Sequence, residues 1–217
     1  MVIDHDHPAY RAKWNCAKVN KFNGAFYYSK EIVKNIIPLI DTDRNWITVN
    51  VYGVGCDHAI VFVHNNLHPE HYEWLRRYKD LILVCGIPET VEKVSHLGKA
   101  IYLPSSIDVD YVKQFRTEKT KKAAFVGRKA KRKGIDLPDY IDYLEGLPRT
   151  QLLRELAKYE TVYAVGRCAL EAKVLKCKLK AYDPRFPKVS RWKILDNKDA
   201  AKMLQAELDK IDGVKHG

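Results

Sequence analysis

The sequence predicts an α/β protein of two halves, each a parallel sheet flanked by helices. Three observations carry this. Continuous apolar runs of strand length, such as Ala59 to His64 and Leu81 to Cys85, alternate with segments of helical spacing. Strands that are apolar throughout belong to sheets covered on both faces. Two strand–glycine units stand in the later part of the chain, Ala124-Phe125-Val126-Gly127-Arg128 and Tyr163-Ala164-Val165-Gly166-Arg167. A basic stretch over 113–122 reads as the linker, so the halves are taken as 1–112 and 113–217.

The elements follow in order. Residues 1–20 show no clear periodicity. Asn23-Gly24 is a turn signal before a helix from Ser29 to Leu39, where Ile32, Val33, Ile36, Ile37 and Ile40 recur at helical spacing and Ser29 serves as the cap. Trp46 to Val51 is β-branched and aromatic and reads as a strand, as does Ala59 to His64. Helices over Pro69 to Arg77 and Glu89 to Leu97 flank the strand Leu81 to Cys85. Ala100 to Leu103 is a strand stopped by Pro104. The second half repeats the rhythm, with strands at Ala123 to Val126, Ile141 to Leu144, Thr161 to Val165 and Leu179 to Tyr182. Its helices are Thr150 to Tyr159, with Leu152, Leu153 and Leu156 inward, Cys168 to Leu175, and a closing helix from Lys198 to Ile211.

Composition limits the function classes. The 217 residues are 46% hydrophobic, enough for a full core in one large domain or two small lobes. No apolar run approaches the roughly 18–20 residues that span a bilayer, and Met1 to His7 is too polar for a signal peptide. Cys16, Cys56, Cys85, Cys168 and Cys177 form no C-x-x-C pair, so the expectation is reduced thiols in a cytoplasmic protein. The formal net charge is +11, and Lys113 to Lys133 holds ten Lys or Arg and one acid, Glu118. Such a face attracts polyanions: a nucleotide, a nucleic acid or an anionic membrane surface.

The glycine units carry the chemistry. Glycine turns at strand ends, with cations at one and a carboxylate in the helix after the other, suit a nucleoside diphosphate. Arg128 and Lys133 would meet the phosphates, and Glu171 the ribose hydroxyls.

The residues resemble a reduced GT-B glycosyltransferase of the retaining, nucleotide-sugar-dependent group 1 class. The likeness covers Asn23 to Asp183. It rests on Tyr102-Leu103-Pro104-Ser105-Ser106-Ile107-Asp108, on Gly127-Arg128 with Lys133-Gly134, on Gly166 with Leu170-Glu171-Ala172, and on Leu179 to Tyr182 closing with Asp183. The resemblance implies two Rossmann-like lobes with a cleft, an acceptor-side lobe first and a donor-side lobe second. It implies that Arg128 and Lys133 grip the donor diphosphate and stabilise the leaving group, and that Glu171 binds ribose. Gly166 admits the donor, Asn23-Gly24 faces the phosphates, and His64 lies near the transferred sugar. The donor would be a UDP- or GDP-sugar, with no metal or other cofactor required.

Two departures define an alternative. Many members carry two glutamates eight positions apart; here the earlier position is Tyr163. The chain is also little more than half the usual length. Both features fit a catalytically inactive nucleotide-binding relative, a regulator or ligand scavenger.

Other features have plainer readings. Arg128 has acids nearby in Asp136 and Asp139, Arg167 is counted with the nucleotide-binding residues but also stands where it balances Glu171, and Tyr72, Trp74 and Tyr78 pack a helix on its sheet. His64, His68 and His71 lie close together, but Pro69 interrupts the spacing a helical metal site needs.

Overall fold

A computed structural model describes residues 1–4, 6–8, 24–49, 56–63, 67–127, 137–180 and 193–213, without the side chains of 24–26. The first elements are β1 (Val2–Ile3), α1 (Gly24–Asn35), a 3-10 turn (Ile37–Leu39), β2 (Asn45–Ile47), β3 (Ala59–Val63), α2 (Pro69–Leu75), β4 (Leu81–Cys85), α3 (Pro88–Val94) and β5 (Lys99–Tyr102). Then come α4 (Val109–Lys113), β6 (Lys121–Val126), β7 (Asp142–Leu144), α5 (Arg149–Leu156), β8 (Tyr159–Tyr163), α6 (Arg167–Val174), β9 (Lys178–Lys180) and α7 (Asn197–Asp212). No helix among the described residues is long and apolar enough to cross a membrane.

The protein is α/β, with two wholly parallel sheets in two compact units. The first unit is Met1–Ser105 with Asn197–Gly217, and the second is Ser106–Asp196. The linker stretch read from the sequence is structured: Lys113 ends α4, and Lys121 and Lys122 open β6, all in the second unit.

In the first unit the strand order is β1-β2-β3-β4-β5, the order of the chain. Register partners Ile3, Ile47, Val61 and Leu83 line one face and form a core with Leu75 of α2 and Val94 of α3. Trp46 and Phe62 stack on the other face, at 6.3 Å between centroids. α1 begins at Gly24, five residues before the start its periodicity predicts, and ends at Asn35 ahead of the 3-10 turn, so Ser29 is no cap. It is buried inside the helix and shares a 2.8 Å hydrogen bond with Thr48. α7 packs against α1 and the 3-10 turn. His68 and His71 cap α2: the His68 amide donates to His71 Nδ1 at 2.7 Å.

A charged network ties this sheet to α7. Arg44, His58 and Asp80 each directly precede a strand, β2, β3 and β4. Buried Arg44 donates to Asp80 Oδ2 at 3.0 Å and to Asp212 Oδ1, at the end of α7, at 2.9 Å. His58 meets Asp80 Oδ2 at 2.6 Å through Nδ1 and Asp43 Oδ1 at 3.0 Å through Nε2. The hydrogen bonds to Asp80 and Asp43 raise the His58 pKa, and bonding to His58 lowers that of both carboxyls.

In the second unit the order is β7-β6-β8-β9. Ala124, Val126, Val162 and Ala164 on one face pack with Val112 of α4, Leu153 and Leu156 of α5, and Leu170 and Val174 of α6. Ala123, Phe125 and Ile141 form a smaller cluster on the other face, with Leu137, Tyr163 and Val165 against it. Tyr159, read from the sequence as the end of a helix, opens β8 instead. Its hydroxyl donates to Asp142 Oδ2 at 2.7 Å, and its ring is buried.

Candidate functional site

The strand order of the second unit selects one place. The chain passes from β6 to β7 on one side, then returns across β6 to lay β8 on the other. Strand order therefore reverses between β6 and β8. In parallel α/β sheets, connections diverge at such a point and leave a crevice at the carboxyl ends of the strands. Phe125 of β6 is in register with Tyr163 of β8. Two residues past Phe125 is Gly127, and three past Tyr163 is Gly166. The structure thus brings these two sequence-predicted glycines to one end of two adjacent strands, which lie about 4.8 Å apart.

Both positions require glycine. Gly127 has φ +146° and Gly166 φ +62° with ψ −141°, conformations that side chains disfavour. The Gly166 carbonyl accepts from the Ala169 amide at 3.0 Å and so closes the first turn of α6. A Cβ at Gly166 would meet nothing within 4 Å. Backbone conformation, not crowding, demands glycine there.

Glu171 lies in α6, five residues past that turn, and is 2% exposed. Arg167 donates through Nε to Glu171 Oε1 at 2.9 Å, the i to i+4 contact of one helix. Arg149, the first residue of α5, reaches the same oxygen through Nη1 at 2.8 Å. The two guanidinium groups are themselves 7% and 15% exposed. A carboxylate this buried needs such partners, because a buried charge left unpaired carries a large desolvation cost. Arg149 is the site residue that the sequence analysis missed, because it lies 22 positions from Glu171 on another helix.

Desolvation, with the Glu171 carboxylate beside it, pushes the Cys168 thiol up to about 12. Tyr163, at the end of β8, is half-buried, and its hydroxyl accepts from Lys180 Nζ at 3.3 Å. Asp108, from the first resemblance motif, caps α4 by accepting from the Tyr111 amide at 2.9 Å. Gly24 is the first residue of α1, in the first unit. Asn23, His64, Arg128, Lys133 and Asp183 lie outside the described residues.

Charge divides unevenly between the units. The second holds 22 Lys and Arg against 12 Asp and Glu, a net of +10, and the first 16 against 15, a net of +1. Compared with known proteins, the sequence matches no family model and no curated protein.

Proposed function

We propose that the chain is a small GT-B glycosyltransferase that takes a sugar from a UDP- or GDP-sugar, with its donor nucleotide in the second unit. One observation carries this reading: Gly127 and Gly166 follow the two adjacent strands at the strand-order reversal, with Glu171 held on the helix that Gly166 begins. In this reading the backbone at the two glycines approaches the diphosphate and Glu171 accepts from the ribose. Arg128 and Lys133 stabilise the charge that grows on the diphosphate as the sugar leaves. His64 lies near the transferred sugar. The +10 charge of the second unit favours a polyanionic acceptor, a nucleic acid or a glycan at an anionic membrane surface. Cys56, Cys85, Cys168 and Cys177 are free thiols, which supports a cytoplasmic setting.

Tyr163 favours a second reading. It occupies the position of the family's first glutamate, and its hydroxyl is engaged by Lys180. A chain so built binds nucleotide without turnover.

Donor hydrolysis in the absence of acceptor tests the choice. For the enzyme, UDP or GDP is released slowly from a nucleotide sugar, and Lys133→Ala lowers turnover more than donor affinity, because charge peaks in the transition state. For the binder, Lys133→Ala lowers affinity and no donor releases sugar. Absence of binding by any nucleotide sugar or nucleoside diphosphate overturns both.

A further inference from the structure

Arg149 and Arg167 each occupy the first position of a helix, α5 and α6. Both helices start from the carboxyl ends of strands, the pole where strand order reverses. A helix N-terminus carries partial positive charge and favours acids, so a cation there is placed against the dipole. Neither helix has an acid in its first turn. Two cations set against two dipoles converge on one oxygen, Glu171 Oε1, at 2.8 and 2.9 Å. With both guanidinium groups on Oε1, that oxygen cannot move away without breaking an ion pair. Arg167 rides on the same helix as Glu171, so it moves with it. Arg149 comes from the other helix and fixes Glu171 relative to the rest of the sheet.

Apolar side chains would fill such a volume at least as stably, since a buried Arg–Glu–Arg group bears a desolvation cost that apolar packing avoids. What apolar packing cannot supply is a hydrogen-bond acceptor held in one place. A ribose presents two adjacent hydroxyl donors, and reading both requires that kind of acceptor.

We infer that Arg149 is a positioning residue that sets Glu171 to recognise the vicinal diol of a ribonucleotide, so the site selects ribose over sugars lacking these hydroxyls. This rests on the nucleotide site proposed above. In this inference the side chain of Arg149 acts through Glu171.

The test is calorimetric titration of the full chain with UDP and with 2′,3′-dideoxy-UDP, and with the corresponding GDP pair. The wild-type protein binds the ribose form about tenfold or more tightly, the scale of one lost hydrogen bond to a charged group. Arg149→Met brings that ratio close to 1 while changing dideoxy affinity little, and Arg149→Lys retains part of it. If Arg149→Met does not fold, Arg149→Lys decides, with a ratio below the wild-type value expected. A variant ratio equal to wild type makes Arg149 structural only and overturns the inference. Equal wild-type binding of both forms also overturns it, but leaves a diphosphate site standing. No wild-type binding of UDP or GDP removes the nucleotide reading and this inference together.

Discussion

The two units are assembled from the same parts, yet among the described residues only the second reverses its strand order. In the first, each described strand pairs with the next along the chain, so strand order does not reverse among the described residues. In the second, β8 lies across β6 from β7, and the carboxyl ends of β6 and β8 stand where the connections diverge. The charged networks differ in the same sense. In the first unit Arg44, His58 and Asp80 lie at the amino ends of strands and tie the sheet to α7. In the second, Arg149, Arg167 and Glu171 lie on the two helices that start at the carboxyl pole. A similar investment in ion pairs therefore serves stability in one unit and, in our account, recognition in the other.

Glu171→Ala sharpens this contrast with the largest effect. It leaves two buried guanidinium groups without their shared carboxylate, a loss of about 3–5 kcal/mol by analogy with broken buried pairs. Denaturant unfolding measures it, and hydrogen exchange should show the loss in β6, β8 and α6 while β3 and β4 stay protected. The mirror experiment is Leu83→Ala in the first core, where the side chain is fully buried. Its cost is about 2–5 kcal/mol, with exchange accelerated in β3 and β4 instead. Exchange rising equally in both units after either substitution would break the division into units.

Glycines extend the comparison. Gly166→Ala forces a side chain into φ +62°, ψ −141° with open space around it, so the cost is backbone strain of about 1–3 kcal/mol. At Gly98 of the first unit the reason is space: an added Cβ would lie 2.8 Å from the Leu81 carbonyl oxygen. Gly166→Asn should recover little at that site, because φ +62°, ψ −141° lies outside the left-handed helical region that asparagine tolerates. Gly98→Asn should recover nothing. Thermal unfolding of the four variants checks this.

The smallest expected effect is pH dependence near neutrality, and it belongs to the first unit. All eight histidines of the chain lie there. The folded pKa of His58 is raised by Asp80 and Asp43. Its stabilisation is complete below the unfolded histidine value of about 6.5 and is lost as pH rises through the raised folded value. The melting temperature of the first unit should thus fall slightly between pH 6 and 8, and His58→Gln should flatten that slope. A fall of the same size in the variant assigns the effect elsewhere. Asp80 and Asp43 act with the opposite sign: their lowered values give stability lost only in acid, as pH falls through them.

Strand cores were the most legible part of the sequence. Leu81–Cys85 is continuous and apolar, bounded by polar residues, and the strand is found on those residues. Boundaries set by distant contacts were not legible. Ser29 has the chemistry of a cap, but its hydroxyl is satisfied by Thr48, 19 positions away, so the helix runs through it. Tyr159 continues the helical pattern of α5, yet it pairs with Lys121 and opens a strand. Val2–Ile3 is too short to show a period, and its strand exists only because Trp46 and Ile47 offer a partner edge. At the site, Gly127, Gly166 and Glu171 stood out because their spacing is local. Arg149 did not, although an arginine at the first position of a helix is a detectable oddity once the dipole is considered.

The claim that the second unit holds a nucleoside diphosphate at its strand-order reversal is tested most directly by hydrogen exchange on the full chain, with and without saturating UDP or GDP. The account predicts added protection in the peptides spanning 123–127 and 163–175, with 59–63 and 81–85 unchanged. Nucleotide-dependent protection confined to the first unit, or no change anywhere with either nucleotide, would contradict it.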